Sequence, residues 1–327
     1  MGREPGSARG RMRGVAVCAG VVCALIAWRA AAYEPVAHQQ LTFLAAQYLN
    51  RCIDGSPVPR LEPLDVRYVA RASVTIVESG WMGWFHRSDY YDRANQSDRN
   101  FLWLFDARVH DRYDEALASL ASAGDVAERY GALGRVAGTL QIATSPAHVV
   151  PVNIARWWRF SVSDRFDAYP VDDETLEASL QSECAALLDA PEISLQQLLV
   201  DTANDTLAAV QAPIPGWPAS WQAFWSLASD PEDFGEYGRA GNNFGKRVSF
   251  DCYKVRCEFA EDDPLYREFA HARHRTAVMA TARAMLWEQR RVVRAADGEA
   301  SSASSGSGAA EGEAEVTGEA ADDVGGP

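Results

Sequence analysis

Residues 130–148, YGALGRVAGTLQIATSPAH, are the stretch around which the rest of the chain is organised. Leu133, Val136, Ala137, Leu140 and Ala143 recur at helical spacing, so the segment reads as a buried helix with one apolar side. Pro146 cannot continue the backbone ladder and biases Ser145 away from helical geometry, so the helix is expected to end there. His148 is then expected on the turn where the chain leaves the core. That position suits a metal ligand or a catalytic base, although a lone His after a Pro turn is most often structural.

On either side the spacing predicts further helices. One begins at Pro35 and turns His38, Leu41, Ala45 and Tyr48 to one side, and a second covers about 64–79. Others are expected over about 101–123, 173–188 and 194–210, and from Asp263-Pro264 to about Arg291, with Asp as cap and Pro in the first turn. Between them lie aromatic stretches. Residues 81–92, WMGWFHRSDYYD, hold His86 and Asp89, and 149–169 hold Trp157, Trp158, Phe160, Phe166 and Tyr169. Trp217, Trp221, Phe224 and Trp225 are expected to open an amphipathic segment, and 235–257 reads as a hairpin or long loop.

The N-terminus has the form of a secretory signal. Arg3, Arg9, Arg11 and Arg13 precede an apolar run over 14–28, and Ala30-Ala31-Ala32 offers a small-residue cleavage site. The run is too short to span a bilayer, so the chain is expected to be exported, with cleavage near Ala32 and no transmembrane segment in the mature form. Four cysteines then remain. In an exported chain an even number suggests disulfides. Cys252 with Cys257 would close a local loop, and Cys52 with Cys184 would staple distant segments. A four-cysteine zinc site is the rival reading, with poor spacing for it.

The net charge is -14, with 47% hydrophobic residues among 327. Residues 297–327 contain eight acidic residues and no basic one, among Gly, Ser and Ala, and read as a disordered tail. The acidic body disfavours nucleic acid as a partner and leaves phospholipids or small phosphoesters open.

The mature start and the central helix resemble the superfamily of zinc-dependent phospholipases C and single-strand-specific nucleases. In that family the first mature residue binds zinc through its amine and carbonyl, and a His follows a few residues on. Tyr33 and His38 in YEPVAHQQLTFLAAQYL match that layout, with Tyr for the usual Trp. The family's central pattern, L-G-x-x-x-H-x-x-x-D-x-x-x-P-x-H, is met here by Leu133, Gly134, Pro146 and His148. Asp167, in DRFDAY, is similar to a later acidic ligand. The resemblance implies an all-α, multi-helix phospholipase C/nuclease-like bundle with long aromatic loops and a disordered acidic tail. Its parts would be a signal peptide over 1–32, a helical domain over 33–294 and the tail over 295–327.

Several ligand positions depart from the family. Gly138 stands for a His, Ile142 for a bridging Asp and Ser163 for another His, and Ser79 takes a metal-binding Asp position beside Glu78. Each zinc wants three or four ligands. Tyr33, His38, Glu78, His86, Asp89, His148 and Asp167 could fill one site, not three. Two functions follow: a secreted metal-dependent phosphoesterase holding at most one tight zinc, or a catalytically inactive relative acting as a binding or structural protein. His271 and His274 share a helix face three residues apart, but Arg273 and Arg275 would repel a cation, so an exposed structural face is expected. His110, between Arg108 and Arg112, is given no role. Asn95 and Asn204 carry the N-x-S/T pattern, which matters only in a glycosylating host.

Overall fold

A computed structural model of the protein describes residues 35–75, 90–93, 109–152, 164–231 and 233–306. The expectations for the signal peptide, Tyr33, Ser79, Glu78, His86, Asp89, Asn95, Ser163 and the 157–160 aromatics lie outside the described residues, as does the tail beyond 306.

The fold is mostly helical. The first helices are α1 (Pro35–Cys52), α2 (Pro63–Thr75), α3 (Val109–Ser122) and α4 (Val126–Ile142). Helix α4 is the expected central element. Its N-terminus is fixed by Asp125, whose Oδ1 accepts from the Glu128 N–H at 2.8 Å, while Glu128 Oε2 accepts from the Gly124 N–H at 3.0 Å. The two side chains satisfy donors the helix itself cannot. From Val136 through Val150 every residue is buried, so α4 is enclosed on nearly all sides rather than apolar on one.

That enclosure comes from α1, α2, α3 and the long C-terminal helix packed around α4. Helices α2 and α4 cross at Gly134 and Gly138. A Cβ at Gly138 would lie 2.5 Å from the Ser73 carbonyl oxygen, so the approach requires glycine. The gap read as a lost ligand at Gly138 is therefore occupied by a neighbouring backbone. Ile142 is buried in the same core.

Helix α4 does not run to Ser145. It ends at Ile142, and Ser145 opens a four-residue turn of helix, α5 (Pro146–Val149), with Pro146 in its first turn. His148 is inside α5 and buried, so the chain does not leave the core there.

The expected 173–188 helix is two, α6 (Asp173–Leu180) and α7 (Cys184–Leu188). The break is held by a disulfide from Cys184 to Cys52 and by the Tyr48 hydroxyl, which donates to the Glu183 carbonyl at 2.8 Å. Both bonds redirect the backbone where the helix would continue. Helix α8 (Leu195–Gln211) begins as expected, with Ser194 Oγ accepting from the Gln197 N–H.

Among the described residues the fold departs from all-α in two small antiparallel ribbons. β1 (Trp225–Ser226) pairs with β2 (Glu236–Tyr237), and β3 (Val248–Cys252) pairs with β4 (Val255–Phe259). The second is the expected hairpin, closed by the Cys252–Cys257 disulfide. The Trp217–Trp225 region is no amphipathic helix beyond a 3-10 turn at Trp221–Ala223. Carbonyls of Phe224 and Ala223 accept from the N–H groups of Gly238 and Ala240 instead. Trp221, Phe224 and Trp225 join Phe166, Phe244, Tyr266 and Phe269 in one aromatic cluster, with Trp221 and Phe269 centroids 4.4 Å apart.

Helix α9 (Pro264–Gly306) starts as expected, with Asp263 Oδ1 accepting from the Leu265 N–H at 3.0 Å. It continues past Arg291 into the expected tail. Residues 295–306 hold four Ser and two Gly and are poor helix formers, so the extension rests on the helix already formed, which carries no new nucleation cost. No helix among the described residues is long and apolar enough to cross a membrane.

Candidate functional site

The buried polar groups of the core gather at the junction of α4 and α5 and in the turn over 164–169. Asp164 builds that turn. Its Oδ1 accepts from the Phe166 N–H at 2.9 Å, and its Oδ2 from Trp225 Nε1 at 3.0 Å and the Tyr237 hydroxyl at 2.9 Å. Phe166 is buried in the aromatic cluster. Asp164 and Phe166 thereby fix where Asp167 stands.

Asp167 faces α5. The Ser145 hydroxyl donates to Asp167 Oδ1 at 2.5 Å, and His148 Nε2 lies 3.4 Å from Asp167 Oδ2. His148 is 4% and Asp167 2% exposed. The order is serine, carboxylate, imidazole. A nucleophilic serine needs the imidazole between itself and the carboxylate, so this is not a serine-hydrolase triad. At 3.4 Å the nitrogen and oxygen are beyond the ordinary N–H···O range. The separation does match two ligands on one zinc, because tetrahedral bonds of 2.0–2.1 Å set ligand atoms about 3.4 Å apart.

His38 lies on α1, fully buried, and meets Gln141 of α4 rather than this pair. Its Nδ1 is 2.5 Å from Gln141 Oε1. Gln141 Nε2 donates to Thr42 Oγ1 at 2.9 Å and Thr281 Oγ1 at 3.3 Å, while the Thr42 hydroxyl lies 2.8 Å from the His38 carbonyl oxygen and 3.2 Å from Ser73 Oγ. Those donations orient the Gln141 amide, so its oxygen faces His38 and the imidazole carries its proton on Nδ1. Gln141 was missed as a site residue. Its only signal is a lone amide in an otherwise apolar stretch.

Among the described residues no three or more His, Cys, Asp or Glu side chains are grouped to hold a metal. The structure thus unites His148 with Asp167 and leaves His38 in a separate network on Gln141 of α4. Tyr91, two residues after Asp89, donates its N–H to the His148 carbonyl at 2.8 Å.

His274 departs from expectation. His274 is not on an exposed face but buried against the Phe166 ring, with centroids 5.9 Å apart. Burial, with a smaller contribution from His271, pushes its pKa down to about 3. The flanking Arg273 instead turns to Asp205, at 2.8 Å. The His110 ring packs on Tyr91 at 4.8 Å.

No family model matches the chain, and neither the curated proteins nor the solved structures include a match.

Proposed function

We propose that this chain is an exported, metal-dependent phosphoesterase with a reduced metal site, a diverged relative of the zinc-dependent phospholipase C and single-strand-specific nuclease superfamily. The observation that carries the reading is the buried His148–Asp167 pair, set at a ligand-to-ligand spacing and steadied by Ser145. His38, on its own network with Gln141, is a further candidate that the resemblance implies. Tyr33, Glu78, His86 and Asp89 are the candidates for completing the coordination, as the resemblance implies. A zinc ion held there supplies Lewis acidity and a water ionised near neutral pH. The protein's own part is to exclude bulk water around the pair and to hold Asp167 through Ser145 and the Asp164 turn. Two disulfides support an oxidising compartment, in keeping with export. The acidic charge points to phospholipid or small phosphodiester substrates over nucleic acid.

A non-catalytic binding or structural relative is the second reading, favoured by one observation. The α2 backbone fills the space at Gly138, and Ile142 is core, so two family ligand positions serve packing. Phosphodiesterase assay of the mature protein with and without zinc separates the two. Zinc-dependent turnover lost in His148→Ala and Asp167→Asn supports the first reading. No turnover under any metal supports the second.

A further inference from the structure

The β3–β4 hairpin carries a surface feature that the metal-site reading leaves unused. Its register sets Phe250 opposite Cys257 and Cys252 opposite Val255. Phe250, Cys252, Cys257 and Phe259 form a buried underside, whereas Tyr253, Lys254, Val255 and Arg256 stand in solvent. The Cys252–Cys257 disulfide ties the underside just behind the turn.

The turn itself is unusual in its residues. Tyr253 and Lys254 have φ of 25° and 66°. A two-residue hairpin turn asks for positive φ at both central positions, which Asn-Gly provides at least cost. Side chains retained in that region point to a use for the side chains themselves. Tyr253 is 75% exposed, the highest value among the described large hydrophobic residues, and Val255 is 50% exposed. The tip over 253–256 holds Lys254 and Arg256 and no acidic residue, with Asp251 and Glu258 on the strands behind it, in a chain of net charge -14. Lys246 is paired with Glu261 at 2.6 Å, and Arg256 lies 3.9 Å from Glu258. Lys254 Nζ sits 5.4 Å from the Tyr253 ring centroid.

We propose that this disulfide-clamped tip is an interfacial anchor for an anionic phospholipid surface. Tyrosine favours the headgroup boundary, with its ring inward and its hydroxyl in water. Valine adds apolar area beneath it, and Lys254 and Arg256 meet lipid phosphates. A specific protein partner would need about 800 Å² of this surface, and a convex tip of four side chains offers far less. A fluid bilayer conforms to such a tip. The acidic body does not prevent this, because charges beyond about 8 Å are largely screened at physiological salt.

The inference holds whether or not the chain hydrolyses phosphoesters. The test is sedimentation of the mature, full-length protein with vesicles of phosphatidylcholine, alone or mixed with phosphatidylglycerol. Binding to the mixed vesicles is expected, and it weakens as salt is raised. Tyr253→Ser and Lys254→Gln should each weaken it about fivefold. The double variant Tyr253→Asn, Lys254→Gly should abolish binding while raising the thermal midpoint, since it supplies the favoured turn residues. Acylation of Lys254, but not of Lys246, should fall when mixed vesicles are present. Absence of binding to anionic vesicles, variants that bind as the parent does, or a double variant with a lower midpoint would each overturn the proposal. So would binding to an acidic protein in place of vesicles.

Discussion

A methyl group added at Gly138 would sit 2.5 Å from the Ser73 carbonyl oxygen. No real Cβ tolerates that approach, and the obstacle is backbone rather than a mobile side chain. Gly138→Ala should therefore separate α2 from α4 and cost about 1–3 kcal/mol, read by urea unfolding. Gly138→His should unfold the protein rather than restore a ligand. A stable Gly138→His chain with added zinc would contradict this account of the crossing. His274 gives a pH prediction. Its folded pKa of about 3 lies below the ordinary imidazole value of 6.5, so between these values the unfolded chain binds more protons. Stability should fall as pH drops from about 6.5 toward 3, and His274→Phe should flatten that slope in thermal melts across the same range. An unchanged slope would mean that His274 does not titrate as its burial requires.

At the scale of elements, the Cys52–Cys184 bridge joins the end of α1 to the start of α7 across 132 residues. A cross-link closing so long a loop contributes about 2–5 kcal/mol. Cys52→Ser with Cys184→Ser should lose that amount and free the 181–183 break, measured by denaturant unfolding beside the parent. Intact mass should rise on reduction by four hydrogens, and four free thiols in fresh protein would contradict the pairing. The elements differ in how well the amino-acid sequence announces them. Helices α1, α4, α8 and the start of α9 were legible because periodicity and caps are local. The α6–α7 break was not, because a disulfide and the Tyr48–Glu183 bond impose it from far along the chain. The site was legible in part. Ser145-Pro146 marked the junction beside His148, and the DRFDAY turn marked Asp167. The packing role of Gly138 went unseen because letter spacing says nothing of the space available, and Gln141 went unseen because its partners come from α1 and α9. His274 looked exposed because its arginine neighbours are charged, yet Arg273 turns to Asp205 and leaves the imidazole against Phe166.

At the scale of the whole molecule, a helical core is stapled by two disulfides. Among the described residues it encloses the His148–Asp167 pair and exposes a hairpin with a cationic, aromatic tip on an acidic chain. The proposed export and metal site meet at the mature N-terminus, where the resemblance asks Tyr33 to lead. N-terminal sequencing of secreted protein should begin at Tyr33, and another start would remove its amine as a ligand. The central claim is that the described core supplies the nucleus of a single zinc site. Elemental analysis of the untagged mature protein tests it most directly. The account predicts one zinc per chain, lost in both His148→Ala and Asp167→Asn while the fold is retained by circular dichroism. Two or three zinc ions per chain, none at all, or one zinc that survives both substitutions would contradict it.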